Sequence, residues 1–174
     1  MRRLALLVAS AAALERWFDI CPDSEAMVHA WARTTVKFDA PCDTVKDEML
    51  ARISGKNWTD PHNSGAYALT FLSPFSVAAM RTTGDGKYTD RLAFAFEETK
   101  KTCEVQGCSA SQVTSVIDMS TNYCNLYNLY CGSNVGCPVA LTDLRAIPLD
   151  KKTSLGAGSD KFKCNTGPKR ELQC

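Results

Sequence analysis

The chain has no hydrophobic run long enough to cross a membrane. Its N-terminal apolar stretch stops at Leu14, before Glu15 and Arg16, well short of the roughly 20 residues a spanning helix needs. There is no basic run, and the net charge is only +1, so nothing draws the chain electrostatically to nucleic acid or an anionic membrane. Histidine is scarce, with two residues, and the closest cysteines are spaced C-x4-C, C-x15-C, C-x6-C and C-x5-C. Zinc usually takes cysteines about two to four residues apart, so no metal site is expected. The nucleophile elbow G-x-S-x-G and the calcium register D-x-[DN]-x-[DN]-G are both missing, which removes two strong catalytic and metal signatures. No internal repeat and no cofactor motif is present.

What remains is 174 residues, 45% hydrophobic and 22% charged, with nine cysteines. That composition suits one globular domain with a core of its own. Residues 1–13 carry Arg2 and Arg3, then the apolar Leu4 to Val8, then Ala11-Ala12-Ala13, the pattern of a cleaved signal peptide. Cleavage after Ala13 takes the formal charge from +1 to −1. All nine cysteines lie beyond that point: Cys21, Cys42, Cys103, Cys108, Cys124, Cys131, Cys137, Cys164 and Cys174. In a secreted chain they read as up to four disulfides with one thiol over, and Cys174, being terminal, is the candidate for the odd thiol and for a linked dimer. Connectivity stays open.

Alternation over residues 28–38 predicts a strand with Val28, Ala30, Ala32, Thr34, Val36 and Phe38 inside and His29 on the wetter side. Pro41 and Asp43 or Thr44 then signal a helix carrying Val45, Met49, Leu50 and Ile53, ended by Gly55. Residues 65–97 read as an antiparallel meander: Tyr67, Leu69 and Phe71 alternate, Ser73-Pro74-Phe75-Ser76 turns, residues 77–83 return, Gly84-Asp85-Gly86-Lys87 makes a hairpin, and Leu92, Phe94 and Phe96 alternate again. Ser109-Ala110-Ser111-Gln112 fits a capping box, which predicts a helix through Val113, Val116, Ile117, Ser120, Cys124, Tyr127 and Cys131, with Cys124 and Cys131 tied to Cys103, Cys108 or Cys137. Asn122, Asn125 and Asn128 are weak helix formers, so two shorter helices split near Ser120-Thr121-Asn122 are the alternative. The expected architecture is α+β: an antiparallel meander with one packed helix and a disulfide-fastened C-terminal helical segment, over 14–150, followed by an irregular tail, 151–174, pinned at Cys164.

Chemistry-bearing residues concentrate at Trp58-Thr59-Asp60-Pro61-His62-Asn63-Ser64-Gly65. Asp60 and His62 would make an acid–base pair, with Ser64 or Ser73 as nucleophile; the competing reading is a turn whose side chains bond their own backbone. Asn57-Trp58-Thr59 is an N-glycosylation sequon in a predicted loop. Asp85, between the hairpin glycines, and Asp90, after them, read as solvated acids. Tyr123, Tyr127 and Tyr130, flanked by Asn122, Asn125 and Asn128 and joined by Trp17, Trp31 or Trp58, suit a sugar or a protein partner; the competing reading packs the tyrosines on the disulfides. Together the candidate binding residues are Trp58, Asp60, His62, Asn63, Tyr123, Asn125, Tyr127 and Tyr130.

Asp60-Pro61-His62-Asn63-Ser64-Gly65-Ala66-Tyr67, Thr83-Gly84-Asp85-Gly86-Lys87-Tyr88-Thr89-Asp90 and Cys108-Ser109-Ala110-Ser111-Gln112-Val113, continuing to Thr121-Asn122-Tyr123-Cys124-Asn125-Leu126, resemble a group of uncharacterised small secreted cysteine-rich proteins predicted from aquatic protist genomes. The resemblance spans residues 20–137. It implies secretion and disulfides, and brings no activity and no catalytic residue. The expected function is extracellular binding of a protein, a glycan or a small apolar ligand. The alternatives are a carrier, a hydrolase using Asp60 and His62, or a protease inhibitor: the strand, helix, meander order resembles cystatin-like inhibitors, although their Q-x-V-x-G loop is missing.

Overall fold

A computed structural model describes residues 21–165. The signal-peptide pattern, Trp17 and Cys174 lie outside them. The alternation around Thr34 becomes β1, Trp31–Phe38, with Ala32, Thr34, Val36 and Phe38 buried. Residues 28–30 precede the strand without joining it. Helix α1 spans Cys42–Ser54 and ends at Gly55 in the left-handed region, φ 65°. The meander follows as β2, Ala66–Leu72, β3, Ser76–Thr82, and β4, Thr89–Thr99. β5, Thr102–Ser111, extends it, and α2, Thr121–Tyr127, and β6, Ala146–Thr153, complete the set. The chain is therefore α+β.

All neighbouring strands are antiparallel, in the order β2-β3-β4-β5-β1-β6. β1 closes back beside β5, so the meander is flanked by the first and last strands. One face is covered by α1, whose Val45, Met49 and Ile53 pack with Val36, Phe38, Leu92, Phe94 and Val105. Full burial of each such side chain contributes about 1.5–3 kcal/mol. α2 descends on the same face at Gly107, where a Cβ would sit 2.8 Å from the Phe94 ring and 3.3 Å from Leu126. Only glycine admits that approach.

Four disulfides pair all eight described cysteines. Cys42–Cys103 fastens the start of α1 to β5, and Cys21–Cys108 fastens the chain before β1 to the same strand. Cys131–Cys137 closes a short loop after α2. Cys124 pairs with Cys164, not with Cys103, Cys108 or Cys137, and so ties α2 to the segment after β6.

Two expectations are corrected. Ser109 and Gln112 do not cap a helix: Ser109 lies inside β5, and the helical segment is only the seven residues of α2. Pairing of β5 with both β4 and β1 overrides the local signal. The start of α2 is set instead by Asp118, whose Oδ2 accepts from the Asn122 amide at 3.0 Å and whose Oδ1 accepts from the Ser120 amide at 3.0 Å. No local pattern announces β6, since Pro148 and the run Asp150-Lys151-Lys152 argue against a strand. It is an edge strand, where proline and lysine are tolerated, and the register with β1 shifts between Thr35 and Val36, next to Pro148. The expected tail thus begins inside β6, and its irregular part follows from residue 154.

Candidate functional site

Strand parity places a row of polar side chains on the otherwise apolar inner face. Tyr67, Arg81, Asp90 and Ser111 are register partners across β2, β3, β4 and β5, and Arg81, Asp90 and Ser111 are buried. Buried polar groups persist only when bonded, and α2 supplies the bonds. Its asparagines, three residues apart, reach the row in turn. Asn122 Nδ2 donates to Ser111 Oγ at 2.9 Å, while its Oδ1 accepts from Ser109 Oγ at 2.7 Å. Asn125 Nδ2 donates to Asp90 Oδ2 at 2.8 Å, and Ser111 Oγ to Asp90 Oδ1 at 2.8 Å. Asn128, just past the helix, donates to Asp60 Oδ1 at 2.7 Å. The amides that weaken the helix in sequence terms are what hold it to the sheet.

Asp60 and Arg81 form the charged centre. Arg81 Nε lies 2.7 Å from Asp60 Oδ2, with both side chains fully shielded from solvent. Arg81 Nη2 donates to the His62 carbonyl at 2.6 Å and to Asn63 Oδ1 at 2.8 Å. A Cβ at Gly65 would collide with this guanidinium, so the 60–65 turn fits Arg81 only with glycine there. Tyr67 Oη lies 3.1 Å from the Asn125 carbonyl and 3.3 Å from Asp60 Oδ2, and burial pushes its pKa well above the ordinary value.

The row opens onto a cavity of about 630 Å³ at one end of the sheet, between the 83–88 hairpin and the loop entering α2. Thr83, Asp85, Asp90, Ser111, Asp118 and Thr121 line its polar side; Tyr88, Val116, Ile117 and Met119 line its apolar side. Its volume falls in the range of small-molecule sites, roughly 300–1,000 Å³. Burial raises the pKa of Asp90, against the hydrogen bonds from Ser111 and Asn125. Four residues with a Cβ sit at positive φ beside the cavity: Asn63 at 51°, Ser64 at 54°, Met119 at 52° and Ser120 at 75°. Such conformations cost on the order of 1–3 kcal/mol each and recur where a binding or active site needs them.

The predicted Asp60–His62 ring pair does not form. Asp60 Oδ1 accepts from the His62 backbone amide at 2.9 Å, and its other oxygen is taken by Arg81. The imidazole instead spans two later segments, with Nδ1 2.9 Å from the Lys163 carbonyl and Nε2 3.3 Å from Thr121 Oγ1. A carbonyl only accepts, so Nδ1 carries the proton and the neutral ring presents the Nε2 lone pair to Thr121. Burial lowers the His62 pKa below its ordinary value, partly offset by the Lys163 bond. Ser73 bonds Ser76 in the turn after β2, away from this centre.

The tyrosine stripe is inside the protein. Tyr123, Tyr127 and Tyr130 are buried, Tyr123 stacks on Tyr127 at 5.6 Å, and Tyr130 meets Phe38 edge-on at 6.1 Å. Trp58 is also buried, its Nε1 donating to the Pro138 carbonyl at 3.0 Å. These residues pack the core, so they do not form the aromatic binding surface read from the sequence. Asn63 alone of the predicted binding residues lines the cavity, with His62 behind it and Asp60 and Asn125 in the supporting network. Asn57 and Thr59 of the sequon are exposed. Among the described residues no group of three or more potential ligands is arranged to hold a metal ion.

Sequence reasoning missed Arg81, Asp118 and Thr121. For Arg81 the signal existed: it shares the parity of Val77 and Ala79, as Asp90 shares that of Leu92, Phe94 and Phe96. A charge at an inward position of two adjacent strands points to a paired, buried site. No family model, curated protein or solved structure matches the chain.

Proposed function

We propose that the protein is a secreted, disulfide-stabilised binding domain that takes a small uncharged or cationic molecule in the cavity at the end of its sheet. The observation that carries this reading is the cavity itself, floored by a buried, hydrogen-bonded polar row and rimmed by exposed apolar side chains, Ile117 at 71% and Met119 at 65% exposure. Its lining holds three aspartates and no lysine or arginine, which disfavours phosphates and carboxylates as ligands. Four disulfides suit an oxidising compartment, and no helix among the described residues is long and apolar enough to cross a membrane. The space between the helices and the sheet is filled by the core, so a carrier would use the end cavity instead.

The test is thermal unfolding of the oxidised protein with uncharged, cationic and anionic small molecules in parallel. Ligand at about 100 times its Kd stabilises by about 2.7 kcal/mol. Uncharged or cationic members should raise Tm, and Thr114→Trp, which fills the cavity from its exposed side, should abolish the shift. Shifts that persist in that variant, or none at all, would refute the reading.

A second reading rests on β2, an edge strand whose Leu69, Phe71 and Leu72 are exposed together with Phe75 in the next turn. Such a strip suits a protein partner. Analytical ultracentrifugation across a concentration series tests for self-association through it.

A further inference from the structure

The end cavity gathers the parts of an acyl-transfer site, although no sequence motif announces one. We propose that it hydrolyses small uncharged carboxylic esters, with Thr121 Oγ1 as nucleophile, His62 Nε2 as its general base and Asn63 Nδ2 as donor to the developing oxyanion. The inference rests on the reading of this cavity as a ligand site and assigns what happens to the ligand there.

Three observations converge. First, nucleophile, base and orienting group stand in line: Thr121 Oγ1 is 3.3 Å from His62 Nε2, and Nδ1 is held by the Lys163 carbonyl at 2.9 Å. An activated hydroxyl needs a base within hydrogen-bond reach and a third group that fixes the base's tautomer and direction. Second, Thr121 and Asn63 both line the cavity. Arg81 holds Asn63 Oδ1 at 2.8 Å, leaving Nδ2 without a partner among the described residues. A preoriented amide donor of this kind serves a tetrahedral oxyanion. Third, the residues that carry these groups lie next to the strained positions: Asn63 itself, Ser64, Met119 and Ser120, all at positive φ.

The chemistry balances with water as the only co-reactant. Thr121 Oγ1 attacks the ester carbonyl carbon, its proton passes to His62 Nε2, and the carbonyl electron pair moves onto oxygen. Collapse breaks the bond to the alcohol oxygen, which leaves with the proton from His62. Water, deprotonated by His62, then attacks the acyl-threonine, releasing the carboxylic acid and restoring Thr121. The transient imidazolium keeps its Nδ1 bond to Lys163, and the nearby Asp60 and Asp118 carboxylates favour its charge while Arg81 opposes it. The aspartate-rich lining excludes anionic esters, and Val116, Ile117 and Met119 offer an apolar wall to a short acyl chain.

The experiment uses the full oxidised protein from a eukaryotic secretion host, with p-nitrophenyl butyrate as substrate and an alkyl fluorophosphonate as trap. Wild type should release p-nitrophenol above the buffer rate and carry one phosphonyl adduct, placed on Thr121 by peptide mass. Thr121→Ala should lose both, and Thr121→Ser should keep both. His62→Gln should lower kcat about 10²–10⁴-fold with KM little changed, and should lose the rise of rate with pH that wild type shows below neutrality. Circular dichroism checks that each variant is folded. No hydrolysis and no adduct in wild type, or either one unchanged in Thr121→Ala, overturns the inference. N-butyl butyramide separates the two claims: binding of this amide without ester turnover refutes catalysis and leaves the ligand site standing, whereas neither binding nor turnover removes both.

Discussion

Among the described residues two buried ion pairs organise the fold, and they are put to different use. Glu48 and Arg52 sit one turn apart on α1, with Oε1 and Nε 2.6 Å apart and no solvent at either side chain. Glu48 also accepts the Ala140, Leu141 and Thr142 amides at 2.9, 2.6 and 2.7 Å, and Arg52 Nη1 donates to the Asn128 carbonyl at 2.8 Å. Apart from the Cys131 sulfur, 3.9 Å from Arg52 Nη1, its partners are main-chain groups, so the pair clamps the 140–142 loop and the end of α2 to α1. Asp60 and Arg81 are as dry, but their partners include the side chains of Asn63, Asn128 and Tyr67 and the carbonyl of His62. That pair holds the walls of a cavity. Burial of a charge pair therefore says little about its role, since such pairs are weak net stabilisers; what the second ring of partners faces is more informative.

Mutation of the two pairs should have the largest and most different effects. Glu48→Gln should cost about 3–5 kcal/mol, the usual penalty for stranding one buried charge, measured by urea unfolding, yet leave ligand-induced Tm shifts intact in protein that remains folded. Asp60→Asn should cost a similar amount and also erase those shifts. Equal effects of both variants on binding would collapse the distinction. Next in size are the disulfides. Loss of Cys42–Cys103, which closes 61 residues, should cost about 4 kcal/mol, and loss of Cys131–Cys137, which closes 6, about 2 kcal/mol by the loop-entropy argument. Double Cys→Ala variants followed by chemical denaturation give both numbers.

Smaller is the effect of pH on each centre. Burial opposes the Glu48 charge, but the three amides and Arg52 outweigh it and hold its pKa below the usual carboxylate value. Its contribution is present above the unfolded pKa and lost as pH falls through the folded one. His62 acts in the same direction, in a higher pH window. With its folded pKa lowered, the folded state binds fewer protons, so stability rises as pH climbs from that value to about 6.5 and is flat above it. His62→Gln should remove this rise and leave the acid limb from Glu48; a wild type with no pH dependence in that window would contradict the burial of the ring. Smallest is Asn57→Gln at an exposed position, expected within about 0.5 kcal/mol of wild type while removing one glycan from the secreted mass.

The periodic parts of the fold were legible because burial on one face writes itself into a strand or a helix. β1, α1 and the meander follow from Val36 and Phe38, from Val45 and Met49, and from Leu92 and Phe94. β5 was hidden because its inward residues toward the C-terminal end are Ser109 and Ser111, whose hydroxyls satisfy Asn122, Asn125 and Asp90. Polar residues buried for a tertiary reason look exposed in sequence, and here they also imitated a helix cap. The site was half legible for the same reason. The 60–64 cluster stood out by composition, but the partner of Asp60 is Arg81, twenty-one residues away, and the partner of the His62 ring is Thr121, fifty-nine away. Such pairings are set by strand register and by the Cys124–Cys164 tie, which no local pattern encodes.

The proposed function places the ligand in the cavity beside the Asp60–Arg81 pair. A two-dimensional amide NMR titration of labelled protein with N-butyl butyramide tests it most directly. Saturable shifts should be confined to residues 83–90, 111–121 and the 62–64 turn, with the 140–142 loop around Glu48 silent. Shifts centred on the β2 edge at Leu69, Phe71 and Phe75, or spread evenly over the chain, would contradict it.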